Sequence, residues 1–203
     1  YPRGVAISPD ASFALFTNYG DNYNIGRINL RTNQITFHYN DTGLKGPWGI
    51  AISPDSRHAV VANYDGNNIA LIDLHTDKVS FPFPDAGFNK PRGVAFSPNG
   101  ALVLVANKMG NNVACIDFHS RRVTFLGGFN SPFGVSVSRD GTHALVANFK
   151  GDDKIARVEL IPAEPEPEPS PNQSPSPNQN PSLNLNRNRS RNPRNPSPNP
   201  SPG

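Results

Sequence analysis

The chain has 203 residues, 35% of them hydrophobic and 17% charged, and 13 of its 22 prolines fall from Pro162 onward, which confines a packed fold to the part before that point. The formal net charge is +3; up to Ala163 there are 15 Lys and Arg (19 less four in the tail) against 13 Asp and Glu (16 less three), so no basic excess argues for nucleic acid. One cysteine, Cys115, excludes an internal disulfide framework and a cysteine-based zinc site, and no run approaches the roughly 20 apolar residues of a membrane helix.

In chain order, Pro2-Arg3-Gly4 opens an alternation with Val5 and Ile7 on one side and Ala6 and Ser8 on the other, the period of a β-strand. Ser8-Pro9-Asp10-Ala11 then supplies turn chemistry, because proline presets φ and Asp suits the later positions. A second strand runs from Ala14 to Asn18. The pattern restarts at Pro47-Trp48-Gly49, with a strand from Ala59 to Asn63 and an Asp65-Gly66-Asn67-Asn68 turn. A third strand from Ile69 to Leu74, a polar turn over His75-Thr76-Asp77-Lys78 and a fourth strand from Val79 to Phe83 complete that copy. The next begins at Pro91-Arg92-Gly93, with strands from Val94 to Ser97, Leu102 to Asn107, Val113 to Phe118 and Val123 to Leu126. The last begins at Pro132-Phe133-Gly134, carries a strand from Ala144 to Asn148, and is expected to stop after three strands.

The four prolines recur at intervals of 45, 44 and 41 residues, and an asparagine follows each by 16 positions: Asn18, Asn63, Asn107 and Asn148. A four-stranded sheet of this size cannot bury both apolar faces alone, and radial stacking of such sheets gives a propeller. A solenoid of helix pairs is excluded, since no window shows the 3.6-residue period. The expected fold is all-β, with blades at about 2–46, 47–90, 91–131 and 132–161, followed by a disordered Pro/Ser/Asn-rich tail over 163–203. Tyr1 enters mid-pattern, so the true N-terminus and further blades are expected upstream.

These residues resemble the YVTN-type β-propeller repeats. Leu15-Phe16-Thr17-Asn18 is the copy nearest the signature, the later copies read Val60-Val61-Ala62-Asn63, Leu104-Val105-Ala106-Asn107 and Leu145-Val146-Ala147-Asn148, and the tyrosine is absent throughout. The resemblance implies a ring of about seven blades, of which this chain supplies an arc. Fragment, self-pairing chain and unusually small ring are the alternatives, the fragment being favoured. An open arc would expose apolar end blades suited to self-association.

Strand order in that family would place the residue after each proline at the mouth of the central channel, namely Arg3, Trp48, Arg92 and Phe133. Alternating guanidinium and aromatic groups suit a planar, sugar-like or anionic ligand; packing across the blade junctions is the plainer role. The turns after the second strands would add Tyr19, Tyr23, Tyr64, Asn67, Lys108, Asn111, Phe149 and Lys150 to that face. The four repeat asparagines, Asn18, Asn63, Asn107 and Asn148, are read as turn-forming, with Asn67 and Asn111 in the same role. His75 with His119, and His58 with His143, occupy equivalent positions in different blades, too far apart for one metal ion. Asp65 and Asp152-Asp153 lack the ligand spacing of a calcium loop. No catalytic residue, metal ligand or cofactor is assigned, and a divalent metal is the alternative kept open.

The tail has no aromatic residue and alternates Pro with Glu, Ser and Asn, a composition for extended polyproline II spacers. Its Ser-Pro repeats resemble the stalks of algal and plant wall proteins. Asn40-Asp41-Thr42, Asn172-Gln173-Ser174 and Asn188-Arg189-Ser190 fit the N-glycosylation pattern of a secreted chain. The expected function is therefore a non-catalytic binding module of an extracellular or cell-surface propeller, with a protein, peptide or carbohydrate ligand, no nucleic acid and no membrane span. A fragment of a lactonase- or hydrolase-type propeller enzyme is the alternative, and a truncated product without its own function the third.

Overall fold

The computed structural model describes residues 1–20, 24–40, 42–83, 86–151, 155–161 and 184–188. Among them every regular element is a strand. The first blade is β1 (Pro2–Ile7), β2 (Phe13–Asn18), β3 (Asn24–Asn29) and β4 (Ile35–His38). The second is β5 (Pro47–Ile52), β6 (His58–Asn63), β7 (Asn68–Asp73) and β8 (Lys78–Ser80). The third is β9 (Pro91–Phe96), β10 (Leu102–Asn107), β11 (Asn112–Asp117) and β12 (Val123–Leu126). The fourth is β13 (Pro132–Val137), β14 (His143–Asn148), β15 (Ile155–Ile161) and β16 (Asn184–Asn188).

Each blade is a four-stranded antiparallel meander in sequence order. The last is a correction: it does not end after three strands, because Asn184–Asn188 pairs with β15, Leu160 lying opposite Leu185. The cause is the open backbone edge of β15, which the short Asn-Leu-Asn-Arg-Asn stretch, free of proline, is able to pair. The remainder of the tail, with Tyr23, Asp41, Asp152, Asp153, the Asn172-Gln173-Ser174 pattern, and Arg189 and Ser190 of the other tail pattern, lies outside the described residues.

The apolar cores lie between blades. One joins Leu15 and Ile25 to Ile50, Val61 and Ile72; a second joins Val60 and Ile69 to Val94, Val105 and Ile116; a third joins Leu104 and Cys115 to Val146 and Val158. The Cys115 thiol sits in the third, and its burial, with the Asp117 charge second, pushes its pKa up to about 11.

The innermost strands β1, β5, β9 and β13 touch in succession. The repeat glycine permits it: a Cβ on Gly4 or Gly49 would overlap the carbonyl oxygen of Trp48 or Arg92 in the next blade, and one on Gly93 would lie 2.8 Å from the Phe133 oxygen. Thr17 adds a link at the first junction, its hydroxyl accepting from Gly4 N at 2.8 Å and donating to the Trp48 carbonyl at 2.5 Å.

Candidate functional site: a guanidinium and aromatic mouth

Because each proline begins its innermost strand at the same end, the residues after the prolines converge there. Arg3, Trp48, Arg92 and Phe133 alternate in space as in sequence. The Trp48 ring takes the Arg3 guanidinium carbon at 4.5 Å and that of Arg92 at 3.9 Å, and Arg92 also lies 4.2 Å from the Phe133 ring centre. Trp48 meets Phe133 edge-on at 6.2 Å. Three blade junctions thus share one stack, so any ligand at this mouth would meet the atoms that pack the junctions.

The turns after the second strands build an outer row. Tyr19 lies 5.3 Å from the Arg3 guanidinium and 5.9 Å from Trp48; Tyr64 lies 5.1 Å from Arg92 and 5.3 Å from Trp48. Phe149 stacks on Phe133 at 6.1 Å and carries Lys108 5.9 Å from its centre. Lys150 is exposed, and its backbone N–H donates to the Asn130 carbonyl.

Asp65 anchors this row, accepting from the Tyr19 hydroxyl at 2.9 Å and pairing with Lys90 at 3.1 Å. Lys90, which also lies 4.9 Å from the Tyr64 ring, is the member that sequence reasoning missed. It stands at the position before the repeat proline, where Gly46, Lys90 and Ser131 all take positive φ.

Arg3 and Arg92 have no carboxylate partner among the described residues, and Arg92 Nε is covered without a hydrogen bond. Rings flank each guanidinium, and its Nη donors have no acceptor among the described residues.

The strand-end asparagines fasten the loops that deliver these residues. Asn63 accepts from Lys45 N at 2.5 Å and donates to Asn68 at 2.7 Å; Asn107 accepts from Asn89 N at 2.6 Å and donates to Asn112 at 2.8 Å. Asn148 accepts from Asn130 N at 3.2 Å, and Asn18 donates to Asn24 at 3.2 Å. Asn67 and Asn111, at φ 52°, accept from Lys90 N and Ser131 N, each at 2.9 Å. His58 and His143 begin second strands, and His75 and His119 sit in the turns after third strands, all at the end away from the mouth. Among the described residues no three His, Cys, Asp or Glu side chains converge as metal ligands, and no helix is long and apolar enough to cross a membrane.

Blades stacked on their innermost strands, with one shared mouth, define a β-propeller. The family described as "Lactonase, 7-bladed beta-propeller" matches residues 19–127, more than half of the sequence. The chain belongs to that family.

Two solved structures carry the same fold. A functionally unknown protein from Desulfotomaculum acetoxidans is 21% identical with a TM-score of 0.63, over 79% of this chain and 52% of its own. Kuenenia stuttgartiensis hydrazine synthase is 20% identical with a TM-score of 0.64, over 78% of this chain and 45% of its own. The chain thus spans about half the length of the structures it matches. No curated protein matches it.

Proposed function

We propose that this arc is a non-catalytic ligand-binding segment of a lactonase-family propeller, and that its mouth takes a small carboxylate-bearing ligand with a flat or sugar-like face. The observation that carries this is the pair of guanidinium groups, Arg3 and Arg92, stacked on Trp48 without a carboxylate partner among the described residues. Aromatic faces hold the forks rigid, so little side-chain freedom is lost when a carboxylate accepts from them. The YVTN-type character of the repeats rests on the asparagine that closes each second strand, and placement outside the cytoplasm rests on the tail composition alone.

Trp48 is the single tryptophan and reports on the site directly. Titration with glucuronate should quench or shift its fluorescence saturably, neutral glucose should not, and Arg92→Gln should weaken glucuronate by about tenfold or more. An unchanged affinity in Arg92→Gln would overturn the mouth assignment.

A second reading, supported by the family match, is that the arc belongs to a lactone-hydrolysing propeller. Turnover of lactones by the chain would establish that reading against the binding-only one.

A further inference from the structure

A different site lies at the opposite end of the second blade junction. The turns between first and second strands, over Ser53-Pro54-Asp55 and Asn99-Gly100, face each other across a cleft of about 350 Å³, which the turn after β11 closes with Phe118, His119 and Arg121. That volume is within the range of small-molecule sites, about 300 to 1,000 Å³.

Its floor is aromatic. The Phe118 ring meets Phe96 at 5.2 Å and the His58 ring at 5.4 Å, both edge-on, and the Arg121 guanidinium lies 4.5 Å from its centre. Arg121 Nη1 is covered without a hydrogen bond, and the guanidinium has no carboxylate partner among the described residues. One edge of the charge has therefore lost water without gaining an acceptor, which an anion on its open edge would offset. The carboxylate of the lining, Asp55, is engaged by its own turn, accepting from Ser53 Oγ at 2.5 Å and Arg57 N at 3.0 Å.

The fold does not require this chemistry. Arg121 has φ 62°, a left-handed conformation that suits short Asn or Asp, and the same turn position holds Asn33 at φ 58° in the first blade and Asp77 at φ 56° in the second. At the first junction the positions equivalent to His58, Asn99, Phe118 and Arg121 are Phe13, Asp55, Leu74 and Asp77. His119 has a counterpart there in His75, so what sets the second junction apart is His58 in place of Phe13, Asn99 in place of Asp55, and Arg121 in place of Asp77. A second cleft, of about 390 Å³, adjoins through His58 and adds Arg57 and His75 to the basic rim, with Asp73 as its acidic member. Asp73 spends its Oδ1 on the backbone N–H groups of His75 and Thr76.

We infer that this cleft is an anion site, separate from the mouth, for a small phosphomonoester or carboxylate carried on a ring, with Phe118 as the apolar floor and Arg121, His119 and His58 as the donors.

The test is titration of the whole chain with phenyl phosphate, benzoate and inorganic phosphate, followed by calorimetry and by the ring signals of the five histidines. Phenyl phosphate or benzoate should bind saturably and move the His58 and His119 signals; weaker binding by inorganic phosphate would show that the ring contributes, and the stronger of the two ring anions identifies the headgroup. Arg121→Asn installs the residue that the first blade holds at this turn, so the melting temperature should not fall, and affinity should drop about tenfold or more. Arg92→Gln, at the mouth, should leave the His58 and His119 shifts and the affinity read from them unchanged. No shift of these two signals at millimolar concentrations, equal affinity by them in Arg121→Asn, or their loss in Arg92→Gln would each overturn the proposal, and none of these bears on glucuronate read by Trp48 at the mouth.

Discussion

The faces between blades and the faces at the ends of the arc are built from the same repeat positions and differ in whether a blade covers them. Ile50 and Val94 are 6% and 9% exposed, whereas Val5, at the same position on the outer face of the first blade, is 69% exposed. On the opposite side, Leu104 is 1% exposed and its equivalent in the fourth blade, Leu145, is 47%. On the open face of the first blade, Phe16 folds over Gly26 and meets Phe37 edge-on at 5.9 Å. Every blade is thus patterned for burial on two sides, and the first and fourth each keep one such side exposed.

The sharpest break of that comparison uses the repeat glycine. Gly49→Ala forces a Cβ onto the Arg92 carbonyl and should cost about 3 kcal/mol or more, because backbone must move at a packed junction. Gly134→Ala, whose nearest neighbour is the Ala147 side chain at 4.0 Å, should be neutral or stabilising by up to about 1 kcal/mol. Urea unfolding of both variants checks this, and equal losses would mean that the glycine serves its own strand rather than the junction.

A smaller contrast is expected from Leu104→Ala, at about 2 to 5 kcal/mol, against Leu145→Ala at under about 1 kcal/mol. If Leu145→Ala cost as much, the fourth blade's outer face would be covered in solution.

The smallest effect concerns the turns. The Asp140 carboxyl is held well below the usual carboxylate range by the Ser138 hydroxyl, then by the backbone and hydroxyl of Thr142, while the third blade places Asn99 at that position. A folded pKa below the unfolded value of about 3.9 contributes stability above that pH and loses it as pH falls through the folded pKa. Asp140→Asn should therefore lower the melting temperature slightly at neutral pH and flatten its decline below about pH 4, where the two proteins converge. A steeper acid decline in the variant would contradict the assignment.

Much of the mouth was legible in sequence because it is periodic: the residue after each proline inherits a common direction from a repeated strand, so Arg3, Trp48, Arg92 and Phe133 were foreseeable as a set. Lys90 was not, since nothing local distinguishes it from a solvated loop lysine until Asp65 and Tyr64 are brought beside it. Arg121 escaped because it lies in a polar turn after a third strand, where an arginine is marked as unusual only once its positive φ and the ring of Phe118 are seen. The fourth strand of the last blade was hidden by the proline-rich composition around it.

The sequence by itself determined the blades, since alternation, turn residues and register are short-range properties repeated four times. Which guanidinium lies on which ring, which carboxylate already has a partner, and which junction is basic were decided only by the tertiary structure, because those contacts join residues one blade apart and depend on how closely glycine lets the innermost strands approach.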